Sequence, residues 1–270
     1  MRPYYYMGNG WGLTQLSTGQ PFFVNTNDRG ITTWIVLGGV WETFVDDVIC
    51  SYVSTGMTVL DIGANLGYYT VKLGSLIGET GRLHAFEPNP ELNKFTAENI
   101  SINGFYRHCT LHTVALGDKE GTAELGFDYA NMGGGSLAAG SGVRGRTVDV
   151  QVRRLDDVLP NLPSVDFMKI DAEGYEPLIL KGGRALIQRS PNCAYLLEVF
   201  LDAWSGHGSV PEQLAPLTSG KRLFAVNHST QLIEMRPDDV PRYLRDVAGG
   251  MSYFFICPSD RSERVQRFIA

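Results

Sequence analysis

Cysteine is scarce in this chain and poorly spaced for a metal. The four residues, Cys50, Cys109, Cys193 and Cys257, lie far apart and form no Cys-x-x-Cys pair, so no zinc-ligand spacing is present. Cys109, Cys193 and Cys257 fall in apolar runs, where a reduced thiol serves as a small hydrophobe. Long apolar runs are missing too, and nothing approaches the 18 or more residues of a membrane-spanning helix. The stretch Met1-Arg2-Pro3-Tyr4-Tyr5-Tyr6 lacks the apolar core of a secretory leader, so a cytoplasmic protein without a membrane span is expected. Positive charge is in short supply. Lys and Arg number 23 against 29 Asp and Glu, a net charge of −6. No nucleic-acid partner is expected, because phosphate binding needs clustered cations, although a small local basic patch is compatible with that balance. There is no internal repeat.

What is present is enough for a substantial core. With 43% hydrophobic and 19% charged residues, the chain is not of the disordered class, and 270 residues lie near the upper end of single-domain size. Residues 1–50 contain the short apolar stretches Pro21–Val24 and Ile31–Val40 and read as a β/α lead-in, ending in a helix around Trp41–Val53. Residues 51–270 read as the main domain. Val59–Ile62 is a strand, and Tyr69, Leu73, Leu76 and Ile77 then share one face of a helix. Arg82–Phe86 is the next strand. Asn89-Pro90-Glu91 starts a helix with a capping side chain, a first-turn proline and an acid. Leu92, Phe95 and Ile102 mark its inner face, and Asn103-Gly104 stops it. Leu111–Leu116 reads as a third strand.

An insertion follows at about 121–154. Thr122–Phe127 and Thr147–Arg153 are strands, and the Gly- and Ser-rich Asn131–Gly145 between them is either a mobile functional loop or disordered. Val165–Ile170, Ala194–Phe200, Leu223–Val226 and Tyr253–Ile256 are further strands. Helices start near Glu176-Pro177, before a break at Gly182-Gly183, and over Val210–Thr218. Repeated β-α-β units imply an α/β fold with a mostly parallel sheet covered by helices on both faces.

In such a sheet the ligand sits at the carboxyl ends of the strands. Asp61 to Gly67, Glu87, Asp171 to Gly174 and Glu198 all fall at strand ends. Gly63 and Gly67 let the backbone turn tightly beside a ligand, and the loop offers free N–H groups at the next helix start. Glu87 follows Gly67 by about 20 residues, where nucleotide folds place a ribose-binding carboxylate. The loop spacing is D-x-G-x-N-x-G. A dinucleotide site would have G-x-G-x-x-G, and Asn65 stands where its second glycine belongs, which disfavours an NAD-dependent oxidoreductase. A ligand without pyrophosphate fits better, and S-adenosylmethionine (SAM) is such a ligand. Asp61 can hold its ammonium, directly or through water, and Glu87 can accept both ribose hydroxyls. Taken singly, Asp61 reads as a loop cap and Glu87 as a helix cap.

Val59–Thr70 (VLDIGANLGYYT), Ala85–Pro90 (AFEPNP), Glu98–Asn103 (ENISIN), Val114–Asp118 (VALGD) and above all Met168–Glu176 (MKIDAEGYE) resemble the FkbM family of class I SAM-dependent methyltransferases. The resemblance spans roughly Trp41 to Phe200. It implies a Rossmann-like seven-stranded methyltransferase sheet with one antiparallel strand, here with a β-hairpin insertion. It implies methyl transfer from SAM, usually to a hydroxyl of a sugar, a lipid-linked glycan or a polyketide-like small molecule. Asp61, Gly63, Asn65, Gly67 and Glu87 carry over as cofactor residues, flanked by Ala64 and Pro88. Ala115 and Leu116 lie where such folds hold the adenine. Ser136, within Met132–Leu137, is placed on a candidate lid.

A hydroxyl acceptor must lose its proton. Asp171 is the first candidate base, Glu173 the second and His207 the third, since a histidine titrates near neutrality. A carboxylate is a weak base for an alcohol, so burial or a metal has to assist. Asp171 and Glu198, with Glu173 beside them, are the candidate ligands for Mg²⁺. The alternatives are an N-methyltransferase and a non-catalytic SAM-binding scaffold. The acceptor is expected to be a small molecule or glycan, and the oligomeric state, including a homo-oligomer, is open.

Overall fold

The computed structural model describes residues 2–128, 131–137 and 145–270. The chain begins with a three-stranded antiparallel meander, β1 (Tyr5–Gly8), β2 (Trp11–Gln15) and β3 (Pro21–Asn25). Helices Ile31–Gly38 and Thr43–Tyr52 follow. Alternation along β3 buries Phe22 and Val24. Trp11 stacks on Phe95 of the helix Pro90–Ile102, with ring centroids 4.0 Å apart. The buried Asn99 of that helix accepts from Phe23 N at 2.6 Å and donates to Phe23 O and Leu66 O at 3.0 and 2.8 Å.

Next come β4 (Thr58–Ile62), β5 (Arg82–Phe86) and β6 (Cys109–His112), then the short β7 (Ala115–Leu116), β8 (Gly121–Asp128), β9 (Asn131–Ser136) and β10 (Arg146–Arg153). The chain continues through β11 (Phe167–Ile170), β12 (Ala194–Phe200), β13 (Lys221–Val226), β14 (Leu232–Met235) and β15 (Met251–Pro258). The central sheet has the order β14-β13-β15-β12-β11-β4-β5-β6. β6, β5, β4, β11 and β12 are parallel, and β15 runs antiparallel between β12 and β13. This is the expected Rossmann-like sheet with one more strand. The eighth, β14, turns back antiparallel on β13. The Asn227 side chain forms the turn by accepting from Ser229 N and Gln231 N at 3.0 and 2.8 Å. Four residues are too few to show a period in the sequence.

Two expectations need correction. Leu111–Leu116 is not one strand, because β6 ends at His112 in the central sheet while Ala115–Leu116 pairs with β10 in a second sheet, ordered β7-β10-β8-β9. Ile102 does not face inward and is 38% exposed. The buried stripe of its helix runs through Leu92, Phe95, Thr96, Asn99 and Ile100, and Ile102 stands at the edge of that stripe as the last residue of the helix. Part of Asn131–Gly145 forms β9, and residues 138–144 lie outside the described residues.

The period of two along the strands sorts the core into layers. Leu60, Ile62, Met168, Ile170 and Leu197 pack in one cluster. Val59, Phe167, Leu196, Tyr253 and Phe255 pack in another, together with Val45, Val48 and Ile49 of the helix Thr43–Tyr52. Alternation therefore places Asp61, Lys169, Glu198 and Tyr253 on the second face. Asp61 pairs with Lys169 across β4 and β11, and Glu198 with Tyr253 across β12 and β15.

Candidate active site

A cavity of about 300 Å³ opens at the carboxyl ends of β4, β5, β11 and β12. One half is built chiefly from two short stretches, Gly63–Asn65 and Glu87–Asn89. After Ile62 the backbone turns at Gly63, with φ +81°, and a Cβ there would collide with the Asp171 carbonyl oxygen. Phe86 O accepts from Gly63 N and Ala64 N at 3.0 and 2.9 Å. Asn65 adopts a left-handed φ of +54°, which Asn tolerates better than most residues. That turn aims Asn65 N at Glu87 Oε2, 2.8 Å away, and Asn89 N reaches Glu87 Oε1 at 2.8 Å. Burial pushes Glu87 up to about 7, against the pull of these two N–H donors. Each Glu87 oxygen keeps a lone pair for a further donor. Pro88, Ala115 and Leu116 also line the cavity.

Gly67 and Asp61 support this half without lining the cavity. A Cβ on Gly67 would press on Thr96 at 3.1 Å, so this glycine serves close packing. Asp61 is fully buried and accepts from Thr70 Oγ1 at 2.6 Å, while its Oδ1 has no hydrogen-bond partner. Burial raises its pKa, opposed by Lys169. Asp61 was expected to hold a ligand ammonium directly or through water; its side chain does not line the cavity and its Oδ2 is taken by Thr70. Ser136 is the last residue of β9, and its side chain lies outside the described residues; its neighbours Gly133, Gly134, Gly135 and Leu137 line the cavity.

The other half is gathered from distant segments around one buried ammonium. Lys169 is 1% exposed, and its Nζ lies 2.9 Å from Asp171 Oδ2 and 4.9 Å from the centre of the Tyr69 ring. Burial alone would lower its pKa, but Asp171, Asp61 and Glu42 outweigh burial and raise it. Burial would raise Asp171, yet the Lys169 charge and hydrogen bond hold it below its ordinary value. Tyr253 Oη sits 3.1 Å from the same Asp171 Oδ2 and 3.0 Å from Glu42 Oε1, while Tyr69 Oη is 3.1 Å from Glu42 Oε2. Burial and then Asp171 push Glu42 up to about 7. Burial, Asp171 and Glu176 push Glu173 up to about 8, and burial with the same kind of repulsion raises Glu198 well above its ordinary value. Glu176 is structural: it accepts from Ala172 N, Gly174 N and Trp204 Nε1 and so fixes the loop after β11.

Sequence reasoning missed Glu42, Tyr69, Lys169 and Tyr253. Lys169 and Tyr253 carried a readable signal, since each stands two places from an apolar residue of the same strand face. Glu42 carried none, because its position depends on a φ of +43° ahead of the helix Thr43–Tyr52.

Two catalytic expectations change. Asp171 reaches the cavity, but its carboxylate is engaged by Lys169 and is a poor base. His207 does not reach it. The helix Leu201–Ser205 turns Trp204 inward onto Glu176 and leads the chain to a separate surface depression, which His207 lines with Lys181, Arg184 and Gln213.

Asp171, Glu173 and Glu198 have carboxylate oxygens within 4.8 Å of one another. Mg²⁺ asks for ionised oxygen ligands. Here the Lys169 ammonium, 2.9 Å from Asp171 Oδ2, already occupies that carboxylate and repels a second cation beside it. The donor set does not fit a resident Mg²⁺. The adenosyl group does fit the other half, because Glu87 is anchored by backbone N–H groups with lone pairs to spare beside a turn that only glycine can make.

Among the described residues, no helix is long and apolar enough to cross a membrane. Residues 61–206 match the model of the methyltransferase FkbM domain. The ubiquinone/menaquinone biosynthesis C-methyltransferase UbiE of Klebsiella pneumoniae is 36% identical over 80 residues, 28% of this chain and 31% of that protein. Methyltransferase sdnD of Sordaria araneosa is 26% identical over 155 residues, 46% of this chain and 59% of that protein. The chain thus spans about a third to three fifths of the length of these relatives. Among solved structures, the O-methyltransferase TomG of Streptomyces achromogenes in complex with SAM is 13% identical, with a TM-score of 0.45 over 80% of this chain and 77% of that one.

Proposed function

The chain belongs to the FkbM methyltransferase family and is a SAM-dependent methyltransferase; from that premise we propose that it transfers the methyl group to a hydroxyl oxygen of a small molecule or glycan. SAM supplies an electrophilic methyl on a sulfonium. Glu87 is assigned to the ribose hydroxyls, Gly63, Ala64 and Asn65 to the backbone around the donor, and Pro88, Ala115 and Leu116 to the adenine.

The observation that supports an oxygen acceptor is the Glu42–Tyr253–Asp171–Lys169 network at the cavity wall. It offers hydroxyl groups and carboxylates to a polar acceptor, and one of its carboxylates titrates near neutrality, where a general base works best. The same acids disfavour an amine, because they stabilise the ammonium form and keep its lone pair protonated. Positioning supplies much of the remaining acceleration, since methyl transfer is an in-line displacement.

Incubation with methyl-labelled SAM and a panel of monosaccharides, glycosides and polyhydroxylated metabolites tests this reading. Label in an ether is the expected outcome. Label only in amines or carbon acceptors overturns it. SAM binding without label in any acceptor favours the binding scaffold.

A further inference from the structure

At one edge of the cavity there are fewer protons than hydrogen-bond contacts. Tyr253 Oη touches Glu42 Oε1 at 3.0 Å and Asp171 Oδ2 at 3.1 Å, but a phenol has a single hydrogen to donate. With both carboxylates ionised, Tyr253 satisfies one and faces the other lone pair to lone pair. One proton on Glu42 resolves the conflict, because Glu42 then donates to Tyr253 Oη and Tyr253 donates to Asp171. The cluster therefore has two arrangements, which differ by one proton on Glu42 and by the direction of one O–H, and only the protonated one supplies a hydrogen for each contact.

Glu42 is the suitable end of this chain. Asp171 is tied to Lys169 at 2.9 Å. Glu173, pushed up to about 8, already holds its proton at neutral pH. Glu42, pushed up to about 7 by burial and Asp171, changes state there. The groups facing it are Tyr69 from the helix Tyr68–Ile77, Tyr253 from β15, Lys169 from β11, and Asp171 and Glu173 just beyond β11. Glu42 is only half-buried, so water reaches it, whereas Tyr253 is 4% exposed. Its backbone φ of +43° is one that a glutamate rarely adopts and that a surrounding structure must hold in place. Both residues lie outside the 61–206 segment that carries the family match.

We propose that Tyr253 and Glu42 form a proton relay that removes the acceptor's hydroxyl proton during methyl transfer. The acceptor oxygen bonds to the methyl carbon, and the carbon–sulfur bond breaks with its electron pair going to sulfur. The hydroxyl proton passes to Tyr253 Oη while the Tyr253 proton passes to Glu42 Oε1. Glu42 ends neutral and returns its proton to water at the cavity mouth. Tyr253 touches the acceptor, and Glu42 acts through it. The relay rests on the oxygen-acceptor reading, but its first test does not need an acceptor.

Full-length protein labelled with [δ-¹³C]glutamate and saturated with S-adenosylhomocysteine is titrated by NMR from acid to alkaline pH. The Glu42 signal is the one missing from Glu42→Asp. The expected midpoint is about 7, and Tyr253→Phe should move it by about half a unit or more, while the Glu87 signal stays in place. A Glu42 midpoint near the free value of about 4.3, or one indifferent to Tyr253→Phe, overturns the relay. With an acceptor from the labelled panel, Tyr253→Phe and Glu42→Gln should each lower kcat about 100-fold or more at nearly unchanged SAM affinity. Glu42→Gln should also abolish the acid limb of the kcat profile, and Glu42→Asp should restore part of the rate. A kcat within threefold of the parent, or an intact acid limb, overturns the relay. If Glu42→Gln does not fold, Tyr253→Phe carries both measurements. If wild type methylates only carbon or nitrogen while the NMR result holds, the oxygen-acceptor reading fails and the Glu42–Tyr253 proton pair stands.

Discussion

The two halves of the cavity are built by opposite strategies. The donor half comes chiefly from two short stretches, Gly63–Asn65 and Glu87–Asn89, with Ala115 and Leu116 beside them, and is fixed by backbone hydrogen bonds to Phe86 O and the Glu87 carboxylate. The acceptor half draws Glu42, Tyr69, Lys169 with Asp171, and Tyr253 from four separate segments and is fixed by side chains around one ammonium. Backbone geometry survives most substitutions of neighbouring side chains. A ring of buried charges does not, because each member depends on the others for compensation. The donor half is therefore the general part of the fold, and the acceptor half is the part that can specialise.

Lys169→Met breaks the comparison most severely. It leaves Asp61 and Asp171 buried without their cation, a loss of about 3–5 kcal/mol that urea unfolding will show. A loss of under about 1 kcal/mol would mean that the acids simply take up protons and the ammonium is not the organising charge.

Glu87→Gln tests the donor half alone. Losing one charge-assisted hydrogen bond to the ribose is worth about 1.5–3 kcal/mol, so calorimetry should show roughly tenfold to 100-fold weaker SAM binding. Stability should fall as well, by about 1–3 kcal/mol, because the new NH2 group faces one of the two backbone N–H donors. Asp61→Asn, by contrast, should cost less than about tenfold in SAM affinity, since its side chain does not line the cavity.

The buried acids also set a pH dependence of folding. Glu42, Glu87 and Glu176 are raised to about 7 and Glu173 to about 8. A folded pKa above the unfolded value contributes stability below the unfolded pKa and loses it as pH rises through the folded one. The ligand-free protein should therefore become less stable from about pH 4.5 to 8, by on the order of 2 kcal/mol after mutual coupling, or roughly 4–8 °C in Tm. A Tm that rises steadily over that window would show that these carboxylates are ionised and compensated in the folded state. His207→Ala, remote from both halves, should leave SAM affinity and kcat within about twofold.

The legibility of the site in the sequence follows the same division. Gly63, Asn65 and Glu87 were readable because a tight turn and a ribose carboxylate impose residue types at short, fixed spacing. The central strands β4, β11 and β12 were readable because, buried on both faces, they run as short apolar stretches between turn residues. Lys169 was visible as a letter of its motif but not as the charge at the centre, since burial belongs to the assembled sheet. Tyr253 could have been found by extending the alternation Tyr253-x-Phe255 into the last strand. Glu42 could not, because no local rule announces a left-handed glutamate before a helix. His207 misled because its loop follows a strand end, and the turn of Trp204 onto Glu176 is a tertiary choice.

One further consequence lies in Asn99. Its amide bonds the N–H and C=O of Phe23 on the outer edge of β3, as a partner strand would, and reaches Leu66 O with its second hydrogen. A single side chain thus stands in for a fourth strand of the meander. Transplanting that meander onto a core with leucine in this place would strand three backbone groups at once. The lead-in and the core can be inherited only as a pair, and the residue that makes them inseparable lies in neither the donor nor the acceptor half.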